Sequence, residues 1–164
     1  MLARSRRPAG TDSSNTTFLM ATSTLRSVDS HTIAADSGRL VLRVVLGVLI
    51  LLHGIAKLSG PPDFVIGMLA KANLPSILAY GVYVGEILAP VLLILGLWTR
   101  AAALVIVVNM IAALFLVHMG DLFKIGPQGG YALELQAMYL FTALAIAFLG
   151  AGRYSIGGRY GPMN

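Results

Sequence analysis

The chain has 164 residues, of which 57% are hydrophobic and only 12% are charged, against about 25% charged residues in an ordinary soluble domain. This balance indicates an integral membrane protein, so the net charge of +5 is interpreted as a topology signal and not as a nucleic-acid footprint. No cysteine is present, which excludes disulfides, thiolate metal sites and electron relay through thiols.

Residues 1–37 are polar, rich in Ser, Thr and Arg, and without helical or strand periodicity. We expect a disordered cytoplasmic tail here. Arg6 and Arg7 do not begin a twin-arginine signal, because the polar run TDSSNTT follows them where an apolar stretch would be required. Met1 and Met20 both stay open as the start of the protein.

The first predicted span covers residues 40–58, close to the 20 or so apolar residues that a helix needs to cross a bilayer. Arg43 lies in its first turn, where we expect the long side chain to snorkel to the lipid headgroups. His53 and Lys57 lie near the other end. Their spacing of four residues places both side chains on one face of the helix.

Two prolines, Pro61 and Pro62, end the first span, because proline cannot continue a helix. The run FVIGMLAKANL that follows is headed by Asp63, a good N-cap residue, and is too short to cross a membrane. The sequence therefore predicts a short interfacial or re-entrant segment between the first and second spans.

The second predicted span covers residues 76–98 and carries an acid, Glu86, inside an otherwise apolar run. A carboxylate at mid-membrane costs about 2.5–3.5 kcal/mol on insertion scales, so it is rarely left without a partner. Pro90 follows four residues later and has no N–H to donate to the Glu86 carbonyl, which favours a kink.

Two further spans are predicted over residues 101–119 and 131–149, the third containing Asn109 and the fourth Glu134. The expected fold class is therefore all-α, an integral membrane four-helix bundle over residues 38–152. A cytoplasmic C-terminal tail is expected over residues 153–164.

Basic residues are distributed unequally between the two ends of these spans. Three lie on one side, Lys57, Lys71 and Lys124, and nine lie on the other: Arg4, Arg6, Arg7, Arg26, Arg39, Arg43, Arg100, Arg153 and Arg159. Because cytoplasmic loops carry the excess of Lys and Arg, both termini are predicted to be cytoplasmic.

Polar side chains within the spans concentrate in the half farther from the cytoplasm, at a rise of about 1.5 Å per residue. This asymmetry predicts a polar pocket whose candidate residues are His53, Lys57, Glu86, Asn109 and Glu134. A structural alternative stays open, in which Glu86 pairs with Lys57 or Asn109 only to hold helices together. Haem ligation by His53 and His118 is a less favoured alternative, and no metal site is expected.

The order of these features resembles the DoxX family of small four-span bacterial membrane proteins. The resemblance rests on LRVVLGVLILLHGIAKL, GEILAPVLLILGLWTR, GGYALELQAMYL and GAGRYSIG, and it covers about residues 39–157. It implies a compact bundle in the bacterial inner membrane, linked to quinones or to oxidoreductases, with redox-enzyme partner subunits. The family offers no settled catalytic residues, so none is assigned.

Together these observations lead to one hypothesis and one rival. The hypothesis is a membrane subunit or anchor of a quinone-linked redox or oxidative-stress complex, with quinone as the expected cofactor and Glu86 as a proton relay. The rival is a non-enzymatic transporter of a small solute or ion, or a membrane scaffold. Contact with lipid is expected in both, nucleic acid in neither, and self-association stays open.

Overall fold

The computed structural model of the chain describes residues 13–58, 63–127 and 129–164, with side chains from Thr32 onward. The chain divides into two compact units, Met1–Ala35 and Asp36–Asn164. In the first unit the described backbone is helical. The packing described below is that of the second unit.

The described residues form five helices: α1 (Ser13–Lys57), α2 (Asp63–Lys71), α3 (Ser76–Leu95), α4 (Thr99–Val117) and α5 (Glu134–Leu149). A single 3-10 turn, Met119–Asp121, follows α4. Within the described part of the chain there is no strand, and the one β-bridge is isolated, between Ile125 and Tyr131. The prediction of an all-α fold is confirmed.

The helix α1 begins well before the first predicted span. Residues 1–12 of the expected disordered tail lie outside the described residues, as do Pro61 and Pro62, but the backbone from Ser13 onward is helical. Starting a helix is costly, but the apolar part of α1 is already helical. Extending an existing helix by one residue costs much less free energy than starting a new one. The structure therefore differs from the sequence expectation over residues 13–37.

Three of these helices are long and apolar enough to cross a membrane: Thr32–Lys57 within α1, α3 and α4. The fourth, α5, is apolar but has only 16 residues, or about 24 Å of helix. Left-handed backbone at Gly96 (φ 71°) and Trp98 (φ 46°) ends α3 and turns the chain sharply into α4. This turn is why α3 stops at Leu95, three residues before the predicted end.

The core of the bundle lies where these four helices meet. Its buried members are Leu46, Ile50, Ala89, Leu93, Ala102, Ala103, Ile106, Met110, Tyr139, Ala143, Ile146 and Ala147. Other large apolar side chains on the same helices point away from the core and are more than half exposed, for example Leu52, Val108 and Phe148. Water would oppose such a surface, whereas lipid favours it.

Arg43 is completely buried, so the prediction that it snorkels to the headgroups is wrong. Its guanidinium donates to the carbonyl oxygens of Leu93 (2.9 Å) and Ile94 (3.3 Å), and also to that of Tyr154. The last four carbonyls of a helix have no partner within that helix. Arg43 therefore satisfies the C-terminal end of α3 from inside the bundle.

The C-terminal segment, residues 153–164, packs against the same end of the bundle. The N–H groups of Ile156 and Gly157 donate to Leu95 and Gly96 at the end of α3, each at 3.1 Å. The segment also accepts bonds from the first turn of α4, from Arg100 N to Met163 O and from Thr99 N to the Asn164 side chain. The expected tail is thus a cap on both ends of the α3–α4 turn.

Asp36 adds a buried carboxylate to this end of the bundle, with a residue exposure of 1%. Arg39 pairs with it at 2.6 Å and Arg159, from the C-terminal segment, at 3.4 Å. A buried charge without a partner would be strongly destabilising. Arg39 lies on α1 with Asp36, so it is Arg159 that joins α1 to the C-terminal segment through this acid.

We expect Arg43→Met to destabilise the folded protein by about 3 kcal/mol, because carbonyls in a buried site lose their donor at about 1–3 kcal/mol each. The free energy of unfolding in mixed micelles measures this. Arg100→Met is the matched control, since Arg100 is exposed. Equal stability of the two variants would contradict the capping role of Arg43.

Candidate functional site

Glu86 lies on a distorted stretch of α3. The helix starts as a 3-10 turn, Ser76–Tyr80, and forms a π-turn at Val84–Leu88, where the Ala89 N–H reaches back five residues to the Val84 carbonyl. Pro90 cannot donate to the Glu86 carbonyl, and a π-turn is one way in which a helix absorbs such a break. The distortion predicted at this position therefore takes the form of a π-turn.

Two glycines allow neighbouring helices to approach this turn closely. A Cβ atom at Gly54 of α1 would overlap the Glu86 carbonyl oxygen, and one at Gly85 would overlap the Asn109 side chain of α4. Both glycines are buried. The small residues thus bring α1 and α4 against the part of α3 that carries the acid.

Glu86 forms an ion pair with Lys57, the last residue of α1. The Lys57 Nζ lies 2.6 Å from Glu86 Oε1, and the Asn109 Nδ2 donates to the same oxygen at 3.5 Å. Glu86 is 5% exposed, whereas the Lys57 side chain is 42% exposed. The other carboxylate oxygen, Oε2, is buried and has no hydrogen-bond partner among the described residues.

A large cavity of about 790 Å³ lies on one side of Glu86, between α2, α3 and α4. Most of its wall is apolar, formed by residues such as Met68, Leu78 and Val108. Its polar side chains are Lys57, Glu86, Asn109 and His118. This volume falls within the range of small-molecule sites, and a mostly apolar wall with a few convergent polar groups is typical of them.

A small cavity of about 90 Å³ lies on the other side, and Glu86 lines it as well. Its other polar side chains are His53, Gln136 and Tyr139. The His53 Nδ1 lies 2.8 Å from the Leu49 carbonyl oxygen, and its ring meets that of Tyr139 nearly at right angles, with centroids 5.9 Å apart.

The five predicted pocket residues are therefore distributed over three places. Lys57, Glu86 and Asn109 are in contact beside the large cavity, and His53 lies across Glu86 on the small cavity. Glu134 is exposed in the first turn of α5 and lines neither cavity. His53 and His118 line different cavities, so the geometry gives no support to haem held between them.

Tyr139 was not among the sequence candidates, although it is buried against His53. Tyr139 follows Gln136 by three residues in an apolar run, so both lie on one face of α5. This spacing could have indicated Tyr139 as a further residue of the polar site. No group of three or more His, Asp or Glu side chains in the described part of the chain is arranged to hold a metal ion.

A charged cluster lies just beyond α4. Asp121 pairs with Lys124 at 2.9 Å and lies 3.8 Å from the His118 ring. The hydrogen bond and the charge of Lys124 lower the pKa of the Asp121 carboxyl. This carboxylate is therefore ionised at neutral pH, at the end of α4 where His118 lines the large cavity.

We expect Gly54→Ala to destabilise the protein by about 1–3 kcal/mol, because the added methyl meets backbone that cannot move aside freely. Gly81→Ala is the control within α3, since a Cβ there meets nothing within 4 Å. Alanine also suits a helix better than glycine does. Unfolding of both variants in mixed micelles measures the difference, and a neutral Gly54→Ala would contradict the close approach of α1.

Comparison with known proteins gives this architecture its family. The DoxX family model matches residues 38–119, half of the 164-residue chain. An uncharacterized protein of Haemophilus influenzae is 36% identical over 122 residues, covering 73% of this chain and 87% of that protein. A Bacillus subtilis protein named putative oxidoreductase CatD is 30% identical over 105 residues, covering 64% of this chain and 78% of its own. No solved structure matches. The chain belongs to the DoxX family.

Proposed function

We propose that this protein is a membrane subunit of a redox complex and binds a quinone in the large cavity. The observation that carries the proposal is the placement of two nitrogen donors and one carboxyl group at a single position of an otherwise apolar cavity. A quinone likewise combines a polar part and an apolar part, because its ring carries two carbonyl acceptors and its tail is apolar.

The polar residues of the cavity suit the quinone ring, and its apolar wall suits the tail. Lys57 Nζ and Asn109 Nδ2 are donors that can turn from Glu86 to the ring carbonyls, and a protonated Glu86 can donate a proton to a reduced ring oxygen. The apolar wall from α2 and α3 suits the tail. A bound quinone would supply the acceptor of two electrons and two protons, and this chain would bind it and move the protons.

The electrons must come from a partner. The chain has no cysteine, and its sequence contains no glycine-rich nucleotide-binding turn. The name of the Bacillus subtilis relative, putative oxidoreductase CatD, supports a redox role. A partner subunit that carries the electron donor therefore belongs to the proposal, with this chain as its membrane anchor.

A scaffold is the second candidate, and one observation favours it. Lys57, Glu86 and Asn109 come from α1, α3 and α4 and are already bonded to one another. A polar contact of this kind can hold three helices together with no ligand. The two candidates differ in whether the cavity binds a quinone saturably.

Binding of decylubiquinone to the purified, delipidated protein tests the proposal. We expect saturable binding by the wild type and binding weaker by about tenfold or more in Glu86→Gln, because Lys57 is no longer held in place by the ion pair, and the hydrogen bond of a charged donor contributes about 1.5–3 kcal/mol. Glu134→Gln makes the same chemical change at an exposed acid outside the cavity and should bind as the wild type does.

Saturable binding that is equal in wild type and Glu86→Gln would remove Glu86 from the site. No saturable binding in any of the three proteins would contradict the quinone proposal and leave the scaffold. Size-exclusion chromatography of each variant shows that the comparison is made on folded protein.

We further propose an orientation with both termini in the cytoplasm of a bacterium. The nine basic residues of one side against three of the other support it. Because the chain has no cysteine, single-cysteine variants label at one position only. A membrane-impermeant maleimide should label Lys124→Cys in intact cells and Arg153→Cys only after permeabilisation. The reverse pattern would contradict this orientation.

A further inference from the structure

Glu86 separates two cavities and uses its two oxygens differently. Oε1 accepts the bonds from Lys57 and Asn109, while Oε2 is buried and unpartnered among the described residues. An unsatisfied buried oxygen is destabilising, and more so when the group is charged. Such an oxygen therefore calls for a partner other than the side chains around it.

The small cavity has the size and the lining to supply water as that partner. Its volume of about 90 Å³ holds up to about three water molecules at roughly 30 Å³ each. Polar side chains line it on two helices, His53 on α1 and Gln136 and Tyr139 on α5. A buried water needs two to four polar partners, and these residues together with Glu86 provide them.

His53 links this small cavity to the exterior. It is exposed, whereas Glu86 is 5% exposed, and it lies one helical turn before α1 ends at Lys57. That position is about 6 Å along the helix axis from the end of α1.

The orientation of His53 decides which of its nitrogens is available. The Leu49 carbonyl only accepts, so the proton must be on Nδ1. In the neutral ring Nε2 then has the lone pair. The Nε2 atom can therefore accept a proton and pass it on.

We infer that the small cavity is a water-filled proton route from His53 to Glu86. A proton enters at His53 Nε2, passes to a water molecule of the small cavity and arrives at Glu86 Oε2, while His53 returns to its neutral form. One proton enters and one is delivered, so the step needs no oxidant or reductant. Only the destination of the proton, a ligand in the large cavity, rests on the proposed function.

Several other ionisable groups lie around Glu86 and bear on its protonation. Lys57 stabilises the carboxylate form, so protonation of Glu86 leaves that ammonium to other partners. Tyr139 lines the small cavity, and His118 lines the large cavity from α4. His118 offers the competing route, in which the proton arrives through the large cavity.

The test is the rate at which Glu86 takes up a proton after a rapid drop in pH, in purified protein without added quinone. Time-resolved infrared spectroscopy follows the carboxylic C=O band, which Glu86→Gln identifies by its loss. We expect His53→Gln to slow protonation by roughly tenfold or more, in keeping with the contribution of a positioned proton donor. His118→Gln tests the competing route through the large cavity, and Glu134→Gln, a change at an exposed acid that lines neither cavity, is the control that should leave the rate unchanged.

Gln136→Leu gives a second, independent variant, because it removes a polar group from the lining of the small cavity at nearly constant size. Slowing in His53→Gln and in Gln136→Leu, with His118→Gln unchanged, supports the route. Unchanged rates in both small-cavity variants, slowing only in His118→Gln, or no protonated Glu86 band at any pH would each overturn it. Because no quinone is present, failure of quinone binding leaves this result standing.

Discussion

The structure depends on one buried carboxylate, that of Glu86. Glu86 is almost completely buried, and its charge is balanced by Lys57, which is much more exposed. A buried carboxylate that loses its charged partner is destabilising, so the position of Lys57 at the end of α1 is constrained by the acid on α3. Gly54, Gly85 and the π-turn before Pro90 are the backbone features that allow this approach. Packing and charge are therefore satisfied by one local arrangement.

At the opposite end of the bundle, arginine side chains provide the partners that buried polar groups require. Arg43 donates to the free carbonyls at the end of α3, and Asp36 is paired by Arg39 and Arg159. The bonds of Arg43 and Arg159 tie α1 to the end of α3 and to the C-terminal segment. Arginine suits this place because its planar fork offers several donors at fixed angles. One end is thus closed by backbone caps, while the cavities lie around Glu86 toward the other.

The two cavities that Glu86 lines explain how the proposed function would work. A large, mostly apolar cavity on one side of Glu86 suits a hydrophobic ligand, and a small cavity on the other side, with His53, Gln136 and Tyr139 in its lining, offers polar partners to water. An acid placed between the two can exchange protons with one and bind through the other. The chain itself holds no thiol with which to carry electrons. Its part in a redox complex would therefore be to bind the ligand and to move protons.

The sequence by itself determined the all-α class, the positions of the apolar helices and the presence of an acid, Glu86, inside one of them, because these follow from local composition and periodicity. It also indicated Lys57 and Asn109 as partners of Glu86, since an acid inside an apolar span is rarely left without a partner. Tertiary structure alone decided that Arg43 is buried, that Glu134 is exposed, and that Tyr139 packs against His53. Which way a side chain faces depends on how helices rotate and how closely glycines let them approach. Spacing along one chain segment does not contain that information.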